Sequence, residues 1–305
     1  MKTPLALVRA LRPHQWVKNL FVLAALVFAR SEHGTLFAWG SDIPRTLYAL
    51  LAFCLGSSAI YLVNDVVDVE SDRQHPEKRH RPIASGALPV PLALAAALVL
   101  VAGALFAGLA AEGTPVRVVW LVLAYMLLNL AYSLRLKRVV LVDAFCIAAG
   151  FLLRVEAGGA AAAATISNWL LLCTLFLALF LALAKRRAES DLLGEERGAH
   201  RAILLEYDTN FLDQMLGVLA ACTIVTYTMY TVAPETAAKF GAMHNLVWTV
   251  PFVVFGLARY LLLVHTGRGG GNPTRLFLGG DPLFLANTLG WSATVLWCLA
   301  RAHAG

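Results

Sequence analysis

The chain has 305 residues, of which 59% are hydrophobic and only 14% are charged. Soluble globular domains carry about 25% charged residues, so this composition excludes a disordered chain and argues against a soluble enzyme. The five cysteines stand singly in apolar runs, which excludes a disulfide scaffold and a thiolate metal site. The net charge of +6 lies mainly in short loops between apolar segments, a pattern that favours contact with a membrane surface over nucleic acid.

Nine segments approach the roughly 20 apolar residues that a transmembrane helix needs. They lie near 16–29, 45–63, 91–111, 117–134, 139–157, 168–184, 212–232, 244–264 and 282–300. The first is short and follows basic residues, so a signal peptide is the alternative. We retain it as a span because it makes the loop charges alternate consistently. The predicted fold is an all-α polytopic membrane protein, one domain over 1–305, with nine helices around a cytoplasm-facing polar cavity.

Lysine and arginine are unevenly distributed between the two sets of loops. Eighteen lie in the amino-terminal segment and the even-numbered loops, six lie on the other side, and Arg259 lies within a span. Under the positive-inside rule, this predicts a plasma (inner) membrane protein with a cytoplasmic amino terminus and an external carboxyl terminus. Thirteen of the nineteen acidic residues share the cation-rich side. Any chemistry is therefore predicted to be cytoplasmic.

A carboxylate cluster follows the second predicted span, where residues 64–72 read NDVVDVESD. In a helix, one amide and three carboxylates of this segment fall within a single arc of about 100°, namely Asn64, Asp65, Asp68 and Asp72. Such hard oxygen ligands suit Mg²⁺, which completes its shell with water and substrate phosphate. The alternative is a helix end laced with salt bridges. We favour the metal site because ionisable residues at a membrane boundary are functional by default.

A second charged group follows the sixth predicted span. Lys185, Arg186 and Glu189 share one helical face, which Asp191 does not join. Membrane anchoring alone would explain the cations, whereas Glu189 favours a second metal or diphosphate position. Between the two groups, residues 75–86 read HPEKRHRPIASG. These clustered cations predict an anion clamp, because arginine binds phosphate bidentately and lysine acts as a point charge.

These residues resemble the UbiA superfamily of intramembrane transferases. Residues 64–72 match its N-D-x-x-D-x-x-x-D motif without departure, and nine spans with a cytoplasmic motif after the second also agree. Within the superfamily, residues 12–19, 75–86 and 185–189 resemble the decaprenyl-phosphate phosphoribosyltransferase branch. Aromatic prenyltransferases of the family usually show a second D-x-x-x-D motif after span six. Here Glu189 stands in that region and Asp191 is off the spacing, which favours the phosphoribosyl branch.

The resemblance implies Mg²⁺-dependent transfer of 5-phosphoribose from phosphoribosyl diphosphate to a polyprenyl phosphate, such as decaprenyl phosphate, in cell-wall synthesis. The expected catalytic and metal-binding residues are Asp65, Asp68, Asp72 and Glu189, with Asn64 as a further ligand of metal and substrate. The expected phosphate ligands are Lys78, Arg79 and Arg81 for the sugar donor, and Lys18, Lys137, Lys185 and Arg186 for the lipid phosphate or diphosphate. Tyr132 is expected to orient a substrate oxygen or to anchor the chain at the interface. Asp143 is expected to orient Lys137 or Lys185, or to form an interhelical hydrogen bond.

Two other functions compete with this one. The first is a prenyltransferase in which the same metal centre ionises a prenyl diphosphate toward an aromatic or other acceptor. The second is a transporter, which the sequence disfavours because its acidic residues gather at one face and the 64–72 pattern is not repeated. Arg154 and Glu156 are expected to pair at the membrane surface without a role. A homo-oligomer is compatible with the sequence, which does not determine the oligomeric state.

Overall fold

The computed structural model describes residues 3–28, 30–31, 41–76, 78–111, 117–193, 206–240, 245–267 and 280–304. Its α-helices are α1 Thr3–Leu11, α2 Ala24–Phe28, α3 Asp42–Val67, α4 Val69–Gln74, α5 Val90–Ala110, α6 Arg117–Leu134, α7 Val142–Ala161, α8 Asn168–Leu193, α9 Thr209–Val232, α10 Pro234–Phe240, α11 Val250–His265 and α12 Pro282–Ala304. Shorter-pitched 3-10 helices cover Pro13–Leu23, Lys78–His80, Leu136–Arg138 and Asn245–Thr249. The two-residue strands Arg30–Ser31 and Ala164–Thr165 form a small sheet. The predicted all-α class is confirmed.

Within the described residues, eight helices are long and apolar enough to cross a membrane. They correspond to the second to ninth predicted spans and cover Asp42–Val67, Val90–Ala110, Arg117–Leu134, Val142–Ala161, Asn168–Ser190, Thr209–Val232, Leu246–His265 and Pro282–Arg301. The first predicted span instead forms the 3-10 helix Pro13–Leu23 followed by α2. From the rises of the two helix types, this segment extends about 30 Å. That length matches a hydrocarbon core, so the first span, and with it the count of nine, stays a prediction.

The ends of several spans follow from local side-chain chemistry. Asp208 caps α9, because its carboxylate accepts a hydrogen bond from the Phe211 N–H at 3.1 Å. Asp281 caps α12 in the same way, since its Oδ1 accepts from the Phe284 N–H at 2.8 Å. Pro91 lies in the first turn of α5, where its missing N–H leaves no helical hydrogen bond unmade. Polar caps and prolines therefore define where these helices begin.

The chain forms two compact units. Unit 1 contains residues 1–27, 31–134 and 153–165, and its core joins α3, α5 and α6 with the 3-10 helix Pro13–Leu23. The close approach of the 3-10 helix requires Gly158, because a Cβ atom there would overlap the Val22 carbonyl oxygen.

Unit 2 contains residues 28–30, 135–152 and 166–305. Its core is built mainly from α8, α9 and α11, with small residues of α7 such as Ala144 and Ala148 allowing close contact. The two units do not decide whether residues 1–305 form one domain, so that statement stays a prediction.

Candidate active site

The aspartate cluster, defined as Asn64, Asp65, Asp68 and Asp72, lies in unit 1 at a break between two helices. The sequence predicts an uninterrupted helix here, but α3 ends at Val67 and α4 begins at Val69. Asp68 stands between them as the shared cap residue. The helical hydrogen-bond spacing nevertheless continues, because the Asp68 N–H donates to the Asn64 carbonyl at 2.9 Å and the Asp72 N–H to the Asp68 carbonyl at 2.8 Å. Helical hydrogen bonds therefore meet at Asp68 from both sides of the break.

Asp65 and Asp72 are both buried, and they converge on one cation. Nη1 of Arg81 donates to Asp72 Oδ2 at 2.7 Å and to Asp65 Oδ1 at 3.1 Å. Nη2 of Arg12 donates to the same Asp65 oxygen at 2.6 Å. The two arginine side chains are 25% and 29% exposed, whereas the aspartates are almost fully buried. Asp65 and Asp72 thus form a shared carboxylate site that binds positively charged groups.

Two oxygens of the aspartate cluster remain available to a further cation. Asn64 Oδ1 and Asp65 Oδ2 are buried and accept no hydrogen bond in the structure. A buried polar atom without a donor costs about 1–3 kcal/mol, so a ligand that satisfies both atoms would be stabilising. Amide and carboxylate oxygens are also the donors that Mg²⁺ prefers. The chemistry of these donors therefore fits a magnesium ion.

The full predicted metal site is not assembled in the structure. Among the described residues, no three acidic, histidine or cysteine side chains are grouped as they would be to hold a metal. Asp68 is partly exposed, while Asp65 and Asp72 are engaged by the arginines. The three-aspartate ligand set of Asp65, Asp68 and Asp72 therefore stays a prediction.

The remaining predicted phosphate ligands of unit 1 do not all lie in the same surroundings. Lys78 and Arg79 are exposed on the 3-10 helix Lys78–His80, and Arg79 Nε donates to His80 at 3.4 Å. Lys18 and Tyr132 are partly buried.

Arg12 was not predicted as a site residue, although it opens the stretch 12–19 that carries the branch resemblance. Its left-handed backbone, with φ of 53°, was a feature that the sequence could not reveal.

Arg154 is a second residue whose surroundings differ from the prediction. It is buried, and the expected surface pair with Glu156 is wrong, because Glu156 binds Arg117 at 3.1 Å. Nε of Arg154 donates to Asn19 Oδ1 and Nη2 donates to the Tyr125 hydroxyl, both at 2.8 Å. The guanidinium also lies 4.5 Å from the centre of the Tyr125 ring. This buried cation fixes the 3-10 helix of Asn19 against α6 and α7.

The second charged group lies in unit 2, and its three predicted residues are in mutual contact. Arg186 Nη1 donates to Glu189 Oε2 at 2.8 Å, and Lys185 Nζ lies 3.7 Å from Glu189 Oε1. Their exposures differ, because the Lys185 side chain is 48% exposed while that of Arg186 is 2% exposed. The predicted shared helical face is confirmed by these contacts. Lys137 is partly buried on the 3-10 helix Leu136–Arg138 of the same unit.

The fully buried carboxylate of Asp143 binds Arg186 of this group. Asp143 Oδ2 accepts from Arg186 Nε at 2.8 Å, and Asp143 Oδ1 accepts from the Tyr207 hydroxyl at 2.7 Å. Tyr207 in turn accepts from the Leu141 N–H at 2.8 Å. Burial, and then the hydrogen bond to Asp143, raise the pKa of Tyr207, so its hydroxyl stays protonated and able to donate. The sequence predicted an orienting role for Asp143 but did not identify Arg186 and Tyr207 as its partners.

Known proteins resemble this chain over nearly its whole length. Residues 19–287 match the UbiA prenyltransferase family. A decaprenyl-phosphate phosphoribosyltransferase of Corynebacterium glutamicum is 36% identical over 97% of this chain and 86% of its own. The enzyme of that name from Mycolicibacterium smegmatis is 34% identical over 95% of this chain and 91% of its own.

Solved structures agree on the fold. A UbiA homologue of Archaeoglobus fulgidus, solved with GPP and Mg²⁺, matches with a TM-score of 0.72 at 17% identity over 97% of this chain and 99% of its own. An apo UbiA homologue of Aeropyrum pernix matches with a TM-score of 0.60 at 13% identity over 97% of this chain and 98% of its own. The chain therefore belongs to the UbiA prenyltransferase family of membrane transferases, as its motif predicted.

Proposed function

We propose that this protein transfers 5-phosphoribose from phosphoribosyl diphosphate to a polyprenyl phosphate and releases diphosphate. The observation that carries the proposal is the pair of buried aspartates, Asp65 and Asp72, that bind cationic groups at the end of a membrane span. The proposal is supported by the 34–36% identity to decaprenyl-phosphate phosphoribosyltransferases over nearly the full chain. In the reaction, a lipid phosphate oxygen bonds to C1 of the ribose as the bond from C1 to diphosphate breaks.

The aspartate cluster is proposed to hold a magnesium ion. Asp65, Asp68 and Asp72 would be its carboxylate ligands, with Asn64 as an amide ligand. When bound, Mg²⁺ neutralises negative charge that builds on a leaving diphosphate. The unpartnered oxygens of Asn64 and Asp65 support this assignment, because a cation would satisfy both.

The arginines that now bind the aspartates are proposed to exchange partners when substrate arrives. Arg12 and Arg81 are each about a quarter exposed, so their guanidinium groups can reach a phosphate while staying near Asp65. Lys78 and Arg79 are exposed cations in the same connection and are proposed to bind donor phosphates. No general base is required, because the attacking lipid phosphate is already an anion. Binding and orientation are therefore the main tasks of these side chains.

Other predicted residues keep the roles that the sequence suggested. Glu189 is proposed as an additional acidic group for magnesium and diphosphate, and Lys18, Lys137 and Lys185 as cations for the lipid phosphate or diphosphate. Tyr132 is proposed to orient a substrate oxygen. The positive-inside bias supports a cytoplasmic amino terminus in the plasma membrane. We propose no particular oligomeric state.

A two-donor assay tests the proposed reaction. Purified protein in lipid nanodiscs would receive polyprenyl phosphate with either ribose-labelled phosphoribosyl diphosphate or labelled prenyl diphosphate and an aromatic acceptor. We expect label in the lipid fraction only from the ribose donor. Product formed only from prenyl diphosphate would contradict the proposal and would assign the prenyltransferase reaction instead.

A further inference from the structure

A continuous chain of hydrogen bonds in unit 2 connects a strained backbone position to an exposed carboxylate. This ladder, defined as Leu141, Tyr207, Asp143, Arg186 and Glu189, has four links between 2.7 and 2.8 Å long. Its first three side-chain groups are almost fully buried, whereas the Glu189 side chain is 26% exposed. The ladder therefore ends in a carboxylate that a solute can reach.

Each link of the ladder limits the movement of the next. Both oxygens of Asp143 are engaged, one by Tyr207 and one by Arg186, so this carboxylate cannot rotate without losing a bond. Arg186 uses Nε for Asp143 and Nη1 for Glu189. Because the guanidinium is planar and rigid, fixing one edge also fixes the direction of the other. The fully buried Asp143 thus sets the orientation of Glu189 through Arg186.

The start of the ladder also carries a backbone cost. Leu141 has φ of +66°, a left-handed conformation that costs a non-glycine residue about 1 kcal/mol or more. Its N–H is held by the Tyr207 hydroxyl directly before α7 begins at Val142. The strained turn places Asp143 in the first turn of α7, where the helix dipole favours a negative charge. Strained residues of this kind often cluster at functional sites.

We infer that Asp143, Arg186 and Tyr207 are positioning residues that orient Glu189 toward a second magnesium–diphosphate position. The inference rests on the proposed function for the role of Glu189. It also changes the role of Arg186, which the sequence predicts as a phosphate ligand. Because its side chain is 2% exposed and binds two carboxylates, Arg186 acts on the diphosphate through Glu189. Lys185, at 48% exposure, is the member of this group placed to meet a phosphate directly.

A double-mutant cycle on diphosphate affinity tests this inference. The dissociation constant of inorganic diphosphate with Mg²⁺ would be measured by calorimetry for the wild type, Arg186→Lys, Glu189→Gln and the double variant. Lysine keeps the charge of Arg186 but cannot bridge Asp143 and Glu189 with a rigid fork. We expect each single variant to weaken binding about tenfold, a change of about 1.4 kcal/mol, and the double variant to be no weaker than either.

Matched variants separate positioning from general instability. Arg259→Lys alters another arginine–carboxylate pair of unit 2, with Asp281 at 2.7 Å, and should leave diphosphate affinity unchanged. Tyr207→Phe removes one hydroxyl from the ladder and should weaken binding two- to fivefold in the wild type but not in Glu189→Gln. If Arg186→Lys does not fold, this second pair completes the cycle.

The results of the affinity cycle and of the two-donor assay test different statements. Multiplied effects in the double variant would show that Arg186 contacts diphosphate itself and would overturn the inference, as would full affinity in Arg186→Lys. A wild type that binds no magnesium–diphosphate would also overturn it. Failure of phosphoribosyl transfer in the two-donor assay would overturn the proposed reaction alone, because the affinity cycle does not depend on which group is transferred.

Discussion

Asp65 and Asp72 lie on opposite sides of a helix break, yet both accept hydrogen bonds from Nη1 of Arg81. Two buried carboxylates so close together repel each other unless positive charge lies between them. In the structure Arg81 supplies this charge, and Arg12 adds a second cation to Asp65. A divalent metal ion bound by the two carboxylates would supply positive charge at the same place. The arrangement therefore favours an exchange between arginine and metal at one pair of carboxylates.

Replacing Asp65 tests the need for its charge. Asp65→Asn should lower kcat/KM for transfer at least 100-fold, because a neutral amide is a much weaker magnesium ligand. Steady-state assays at saturating Mg²⁺ would measure the loss. Glu70→Gln is the matched control, since the Glu70 side chain is 78% exposed and should change the rate less than twofold. Equal rates for wild type and Asp65→Asn would exclude a catalytic role for this carboxylate.

Removing Arg81 tests the exchange between arginine and metal. Arg81→Ala leaves two buried carboxylates facing each other and should cost about 1–2 kcal/mol of stability, allowing for the partial exposure of Arg81. Added Mg²⁺ should restore much of this loss and raise the melting temperature of the variant more than that of the wild type. Thermal unfolding in detergent, with and without Mg²⁺, would measure both effects. An identical Mg²⁺ response in the two proteins would be evidence against the exchange.

The buried Arg154 is expected to be structural. Arg154→Met removes the donor to Asn19 and to the Tyr125 hydroxyl, and should cost about 2 kcal/mol because both acceptors stay buried. Arg117→Met is the control, since its pair with Glu156 is exposed and should contribute less than about 1 kcal/mol. Melting temperatures of the two variants would be compared at one pH and salt concentration. Similar losses in both would contradict the assigned difference.

The pair of Arg259 and Asp281 predicts a pH dependence of stability. The hydrogen bond from Arg259, together with that from the Phe284 N–H, lowers the pKa of Asp281 below its ordinary value. Because the folded pKa is the lower one, the stabilisation is complete above the unfolded pKa of about 4. It is lost as the pH falls through the lowered pKa. Unfolding free energies of wild type and Asp281→Asn should therefore differ near pH 7 and converge toward pH 2, and a constant difference would contradict this assignment.

Much of the fold could be predicted from the sequence because its signals are local. Eight of the nine spans that the long apolar runs predict are helices in the structure. The helical spacing of Asp65 and Asp72 also predicts that they lie close together, and both contact Arg81. Lys185, Arg186 and Glu189 likewise follow from helical spacing. The first span differed because residues Pro13–Leu23 adopt a 3-10 helix, which hydropathy does not distinguish from an α-helix.

The contacts that determine the roles of individual cations could not be predicted in the same way. Arg12 meets Asp65 across 53 positions, and Arg154 meets Asn19 across 135 positions. Such pairs depend on tertiary packing, which helical periodicity does not predict. For the same reason, Arg186 and Arg81 both resembled phosphate ligands in the sequence, although their guanidinium groups bind carboxylates in the structure. The sequence shows which residues are cationic but not which anion each of them binds.

Direct measurement of metal binding tests whether Asp65 and Asp72 hold the magnesium ion. Electron paramagnetic resonance of Mn²⁺, used in place of Mg²⁺, would be recorded for purified protein with inorganic diphosphate. We predict saturable binding in the wild type and in Glu70→Gln, and at least tenfold weaker binding in Asp65→Asn and Asp72→Asn. Undiminished Mn²⁺ binding in both aspartate variants would contradict the claim that this pair of carboxylates holds the metal.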